Sequence, residues 1–520
     1  MPARLRVAAA VIAAAVMFTL AAPPIGVAPL AVIALAPMIH LAVTAASWRS
    51  ALWRGALGSL AITGLVFRWL PGSVHAFFGL PTGWSWLAFP VYAVIGQPQL
   101  IAWAVVRWRW RAATGPGVML ASAAAYTGLD WLLPKLFHDT LGVALFGDGW
   151  LIQIVDVGGV YLLTFAAMLT TELAHAAVRG RRRVIPAAIG VAAMWAAIAA
   201  YGAIRRGQVE AALDHAPALQ VGVIQANIGN IEKEMAAHGN LDGIVGTLRR
   251  YGELSDQLAR SASPPELLIW PETAYPLAYG AHRSALDDSI DDELAHYLQQ
   301  RKLPLLFGGF DRKADVEYNS ALLLAPSGVV TAYHKRILIP FGEYWPLIGR
   351  ARFGTGDSPA TLDVPRAAGA VRIAPVICYE SLFTGHAAAG VADGARALIN
   401  LTNDSWFVSE AEQRLHLTMA ALRSIETRRA QVRATNTGIS ALVLPTGAIV
   451  DPGPLDQPAA LRYALPLLDD DALGPTPVMR LGNWPGPACL IGALLAGALS
   501  WRRRRRPRPG PGPESRTARG

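Results

Sequence analysis

The feature that most constrains this chain is the repeated return of apolar stretches of membrane-spanning length. A helix needs about 20 apolar residues to cross bilayer hydrocarbon. Eight stretches qualify, at roughly 7–22, 26–46, 55–71, 84–106, 116–134, 157–178, 184–204 and 484–501. Only 16% of the residues are charged, against about 25% in an ordinary soluble protein, and the deficit is uneven. Residues 1–206 hold seven of the stretches and read as a membrane domain, and 484–501 reads as a lone C-terminal span. Between them, 217–470 has ordinary globular composition and length enough to bury its own core, and 502–520 forms a basic tail. The opening "MPARLR" before an alanine-rich run and "LAAPP" has the outline of a secretory signal. The spans that follow at once predict a retained first helix instead.

Arginines orient these spans. Arg4 and Arg6 precede the first, Arg49 and Arg54 lie between the second and third, and Arg107, Arg109 and Arg111 between the fourth and fifth. Arg179 with Arg181 to Arg183 separates the sixth from the seventh, and "RRRRRPR" follows the eighth. If all eight stretches cross, these clusters share one side, the cytoplasmic one by the positive-inside bias. The loops near 72–83 and 135–156 carry only Lys135. Both termini are thus predicted in the cytoplasm and 205–483 on the far side. Arg205 and Arg206 run against the bias, but a large translocated domain weakens their vote. The arginine tail reads as an anchor at an anionic leaflet rather than a nucleic-acid contact.

Within 217–470, the apolar runs "ALQVGVIQAN", "ELLIWPE", "PLLFGGF", "SALLLAP", "VRIAPVICYE" and "ALINLTND" read as strands. Helical patterns at 285–301 and 411–430 lie among them, and hairpins are expected to turn at Ser327-Gly328 and Thr446-Gly447. Strands alternating with helices predict an α/β layered domain. The chain has two cysteines, too few for a disulfide framework. Cys489, in "PACLIGALLAGALSW", reads as a small apolar residue of the last span.

Three ionisable residues stand at strand ends, where chemistry is usually placed. Glu272 follows "LLIWP", Lys335 closes "VVTAYHK", and Cys378 closes "VRIAPVI" before "YESLFTGHAAAG", which can begin a helix. A thiol there would meet the positive end of a helix dipole, which favours thiolate. A carboxylate can take a thiol proton, and an ammonium can stabilise an oxyanion. Each has a plainer reading as core thiol, turn carboxylate or solvated lysine, and spacing alone does not bring the three together.

The pattern "WPETAYP … YHKRILIPFGEYWP … ICYES … NLTNDSWF … RATNTGIS" resembles the nitrilase (carbon-nitrogen hydrolase) superfamily. With many N-terminal spans and one C-terminal helix, the whole chain but its tail is similar to the apolipoprotein N-acyltransferase family of bacterial inner membranes. The resemblance implies a nitrilase-like αββα sandwich on the periplasmic face, joined to a multispan α-helical membrane domain. It implies a Glu-Lys-Cys triad, with Glu272 as general base, Lys335 as oxyanion stabiliser and Cys378 as the nucleophile that holds an acyl thioester. Glu343 would support the triad, and Tyr379 and Glu380 would shape the site. Asn403, Asp404, Ser405 and Trp406 would form the loop beside the thioester, with His416 and Arg433 structural.

The resemblance further implies ping-pong transfer without metal or cofactor. A membrane phospholipid, phosphatidylethanolamine in this family, would donate the acyl chain. A diacylglyceryl-modified apolipoprotein would accept it on its N-terminal amine, and the enzyme would be a monomer with no nucleic-acid partner. Two departures touch the expected substrate mouth. Glu234 follows Lys233 where the family commonly has Trp, and "DSWFVSEAEQRLHL" lacks a glycine after "SWF" and has Leu415 before His416 where Gln is common. Two rivals stay open on the residues alone, a membrane-tethered amidase and a binding protein with a silent nitrilase-like domain. Asp130, His138, Asp139, Glu172 and His175 lie in or near spans, where ionisable groups are expensive. Glu172 with His175 reads as a helix-end polar cluster, and Gln97 and Gln99, placed to line a polar crevice, are assigned no role.

Overall fold

A computed structural model describes residues 2–180, 184–229, 241–281, 284–346, 348–357, 361–407 and 409–505. Arg181 to Arg183, Lys233, Glu234 and the tail from 506 lie outside the described residues.

The first two hundred residues fold into apolar helices. Ala3–Ala21, Val160–Val178 and Val184–Leu213 are each long and apolar enough to cross a membrane. Two bent pairs raise the number among the described residues to five if each counts as one span: Trp48–Val66 with Leu70–Ala76, bent by 67°, and Thr82–Ile95 with Pro98–Arg109, bent by 44°. The stretch 26–46 divides into the helices Ala28–Ala31 and Ala36–Val43, with Pro37 near the start of the second. Pro98 likewise opens a new helix where a continuous span over 84–106 is expected, since proline cannot donate the hydrogen bond a helix interior requires. The segment 72–83, expected as a loop, is largely taken up by the helix Leu70–Phe78. The C-terminal helix Pro485–Arg505 packs on Pro116–Leu132. It does so closely enough that a Cβ on Gly128 would stand 2.6 Å from the backbone of Leu490, the small-residue contact typical of helices in lipid.

Residues 218–466 build two six-stranded sheets. The first sheet uses β1 (Ala218–Gln225), β2 (Leu267–Trp270), β3 (Leu305–Lys313), β4 (Val316–Leu324), β5 (Val330–His334) and β14 (Ala459–Pro466), in the order β14-β1-β2-β3-β4-β5. A small hairpin, β6 (Tyr344–Trp345) and β7 (Arg350–Ala351), stands apart. The second sheet uses β8 (Leu362–Val364), β9 (Val371–Ile377), β10 (Ala397–Thr402), β11 (Gln431–Thr435), β12 (Ala441–Val443) and β13 (Ile449–Val450), ordered β13-β12-β11-β10-β9-β8. Both expected hairpins are present, β4–β5 through Gly328 at φ 82° and β12–β13 through Gly447 at φ 84°.

Alternation along the strands makes the layers. Leu267 and Ile269 of β2 face the second sheet, meeting an apolar layer that includes Ile373, Ile399 and Val432. Leu268 and Trp270 point the other way, onto the helices Leu241–Ala259 and Ala285–Arg301, the period of two that a pleated strand imposes. Helices Thr384–Ala392 and Glu410–Thr427 cover the second sheet. The result is an αββα sandwich.

Helix Glu410–Thr427 is buried nearly all round, because its other side packs through Leu415, Met419, Leu422 and Ile425 on the helical part. Charged groups placed there must be paired, and they tie the two parts together. Arg428, just past the helix, donates to Asp156 Oδ2 at 2.8 and 3.0 Å and to Gln153 Oε1 at 2.6 Å. Asp156 also takes Arg205 at 2.9 Å and the Tyr201 hydroxyl at 2.7 Å, and Arg206 pairs with Glu210. The two arginines that oppose the orientation bias are therefore matched by carboxylates beside them.

Candidate active site

Four segments converge at one end of the sandwich. The end of β2 delivers Glu272, the end of β5 delivers Lys335, the loop after it Glu343, and the end of β9 Cys378. Strand β3 must lie very close to the Glu272 turn: a Cβ on Gly308 would stand 2.4 Å from Glu272 Cα and 2.5 Å from the Pro271 carbonyl. Only glycine fits there.

Lys335 is 1% exposed. Its ammonium donates to Glu272 Oε1 at 3.2 Å and Glu343 Oε1 at 2.9 Å. Burial works against that charge, but the two carboxylates overcome it and hold Lys335 well above its ordinary pKa. Asn319 of β4 bridges the same pair, donating to Glu272 Oε1 and Glu343 Oε1 at 2.9 Å each. The outer oxygen of Glu272 accepts from the Asn403 amide at 3.1 Å, and that of Glu343 from the Ile339 amide at 3.0 Å. Both carboxylates are thereby fixed from two sides.

Cys378 opens a short 3-10 turn, Cys378–Leu382, at φ 48°, a left-handed conformation uncommon outside glycine. Its environment corrects one expectation. The thiol pKa is pushed up, first by burial and then by the Glu272 carboxylate, with Lys335 pulling the other way. The helix that was to supply a favourable dipole begins only at Thr384, so the sulfur meets a short turn instead, and such a dipole acts only within a helix's first turn. Burial and the Glu272 carboxylate thus favour the thiol over the thiolate at Cys378.

Glu380 locks this turn. Its Oε1 accepts from the Tyr333 hydroxyl at 2.7 Å and the Arg336 amide at 2.6 Å, and its Oε2 from the Ile377 amide at 2.7 Å, with His386 3.3 Å away. Burial opposes its ionisation, yet His386 and these amides win and hold it below the ordinary carboxylate range. Glu380 thus straps the end of β5, which carries Lys335, to the end of β9, which carries Cys378. The Tyr379 hydroxyl donates to the Leu136 carbonyl at 2.7 Å, docking the same turn on the helical part.

In the loop after β10, Asn403 Oδ1 accepts from the Ser405 amide at 3.3 Å, and Asp404 pairs with Arg433 at 2.7 Å and His416 at 3.0 Å. Trp406 lies in the turn Asp404–Trp406, and its side chain is outside the described residues. Sequence reasoning missed Asn319, Ser381 and His386. Asn319, where the strand "VEYNSALLL" passes from exposed to buried residues, left no clear signal in the sequence, although a buried amide must find partners. Among the described residues no group of His, Cys, Asp and Glu could hold a metal ion. Glu172 instead pairs with Arg107 at 2.7 Å, Lys135 with Asp130 at 2.8 Å, and Gln97 with Asp139 at 2.6 Å.

The family model described as carbon-nitrogen hydrolase matches residues 220–461, and that described as the apolipoprotein N-acyltransferase N-terminal domain matches 14–173. A crystal structure of an amidase from Nesterenkonia sp. is similar over 48% of this chain and 92% of its own, at 19% identity and a TM-score of 0.37. Apolipoprotein N-acyltransferase of Azotobacter vinelandii is 32% identical over 469 residues, covering 86% of this chain and 81% of its own. That of Bdellovibrio bacteriovorus is 30% identical over 477 residues, 85% of each chain. The chain belongs to the apolipoprotein N-acyltransferase family.

Proposed function

We propose that this enzyme moves a fatty acyl chain from a membrane phospholipid, through a thioester on Cys378, to the N-terminal amine of S-diacylglyceryl-cysteine in a lipoprotein. The observation that carries the reading is the buried Lys335 ammonium held 3.2 Å from Glu272 at the end of β2 and 2.9 Å from Glu343 in the loop after β5, where β9 delivers Cys378. Glu272 takes the Cys378 proton as sulfur attacks the phospholipid ester carbonyl. The tetrahedral oxyanion forms against Lys335, whose charge is already in place and needs no reorganisation. The intermediate collapses, the lysophospholipid oxygen leaves with the proton from Glu272, and the acyl group stays on sulfur. The lipoprotein amine then gives its proton to Glu272 as it attacks the thioester. The amide forms, and the proton returns to the departing sulfur.

We further propose that all eight apolar stretches lie in the membrane, with both termini cytoplasmic and the sandwich on the periplasmic face of the inner membrane. Both substrates are then anchored in the leaflet beside the site, with phosphatidylethanolamine the favoured donor and the enzyme acting as a monomer. The test is mass spectrometry of the enzyme after incubation with phospholipid, with and without a diacylated lipopeptide. The expected result is an acyl mass on the Cys378 peptide that the lipopeptide discharges as a triacylated product. A Cys378→Ser enzyme that still N-acylates the lipopeptide overturns the reading, and discharge to water as fast as to lipopeptide turns it into a hydrolase.

A further inference from the structure

A second buried constellation lies directly behind the nucleophile. Ser381 Oγ donates to the Cys378 carbonyl at 2.7 Å and faces His416 Nε2 at 3.2 Å. His416 Nδ1 stands 3.0 Å from Asp404 Oδ1, and Asp404 Oδ2 accepts from Arg433 at 2.7 Å. Arg433 also donates to Asn400 Oδ1 at 2.7 Å, and Asn400 to the Val376 carbonyl at 2.9 Å. A Cβ on Gly438 would stand 2.7 Å from Asp404 Oδ2, so the carboxylate is boxed in.

The order serine, histidine, aspartate is that of a hydrolytic triad, but Ser381 is 0% exposed and its hydroxyl is committed to the backbone of Cys378. It cannot reach a substrate. What the network does touch is the two halves of the reaction centre. One end holds the carbonyl of Cys378, a residue kept at an unfavourable positive φ. The other fixes Asp404, whose neighbour Asn403 presents the amide that holds Glu272 Oε2 at 3.1 Å. Replacing a buried ion pair by apolar residues is often neutral for stability, so the network's energy does not account for its placement, whereas its contacts do.

We propose that Ser381, His416, Asp404 and Arg433 act as one positioning unit that keeps the nucleophile in register with its general base. The inference rests on the acyl-transfer reading and deepens it. The test uses the full-length enzyme in phospholipid micelles and follows the acyl mass on Cys378 in a single turnover, together with the KM for phospholipid and the melting temperature. Ser381→Ala is expected to slow acylation about 100-fold, the cost of roughly 1 Å of misplacement. The KM should stay within about twofold and the melting temperature within a few degrees. His416→Gln, which keeps an amide near the Nε2 position, should recover about tenfold of what His416→Ala loses. Acylation of Ser381→Ala at the wild-type rate overturns the positioning role. So does a loss that merely follows the fraction of folded protein. A wild-type Cys378 that never gains an acyl mass instead overturns the acyl-transfer reading, and this inference falls with it.

Discussion

At the residue scale, the site works by contrast: two carboxylates uphold the Lys335 ammonium against burial, whereas burial and Glu272 favour the neutral thiol of Cys378. Glu343 matters because it is the nearer of the two carboxylates on Lys335. Glu343→Gln keeps the shape and removes the charge, so kcat should fall by about tenfold or more while folded yield holds, measured as lipopeptide N-acylation per folded enzyme. His138, in the loop beneath Tyr379, carries a different signature. Burial, with Lys135 and Arg423 nearby, pushes its pKa down to about 4 from an ordinary 6.5. Between those values the unfolded chain binds a proton that the folded chain refuses, so stability falls as pH drops from 6.5 towards 4. Glu380 and Asp404, both held below their ordinary 4.5 and 3.8, act with a separate window. Their stabilisation is full above those values and is lost only as pH falls through the lower folded ones. His138→Gln should therefore flatten the melting temperature between pH 6.5 and 4.5, read by calorimetry across that range. Glu272, Lys335 and Cys378 were legible as candidates from strand ends and motif. The direction of the thiol shift was not, because it depends on burial and on a carboxylate 106 residues away in sequence.

At the element scale, strands were easier to read than spans. The short apolar run in "ELLIWPE" and the glycines of the two hairpins state their structure locally, and β2, β4–β5 and β12–β13 stand where they were expected. Strands β11 and β14 escaped notice. In β11 the polar Gln431 and Arg433 look like surface residues, although both are fully buried, and β14 pairs with β1 from the opposite end of the domain's sequence. Hydropathy averaged over long windows ran through the breaks at Pro37 and Pro98, which are events of single residues. Gly308 shows how tightly the strands set the chemistry. Gly308→Ala should destabilise the sandwich by about 1–3 kcal/mol through overpacking. It should also lower activity further than that loss explains, since the clash falls on Glu272 itself. Melting and turnover measured on the same preparation separate the two effects.

At the scale of the whole molecule, the helical part and the sandwich share a buried polar joint around Asp156. Asp156 is 0% exposed and serves Arg428, Arg205 and Tyr201 together. Asp156→Asn leaves the Arg428 guanidinium buried without its counter-charge, a class of change that costs about 3–5 kcal/mol. The expected outcome is a lower melting temperature and faster proteolysis between the two parts, seen as a released sandwich fragment on a gel. No sequence window holds this joint, because its partners lie 272 positions apart.

The Tyr379 hydroxyl on the Leu136 carbonyl gives the joint a further meaning. The turn that carries Cys378 is seated on a loop of the helical part, so neither part owns the finished site. A chimera that grafts this sandwich onto the helices of a distant relative would inherit every side chain of the proposed site and still misplace the sulfur unless the residues around Leu136 and Asp156 came with it. The two halves are in that sense heritable only as a matched pair.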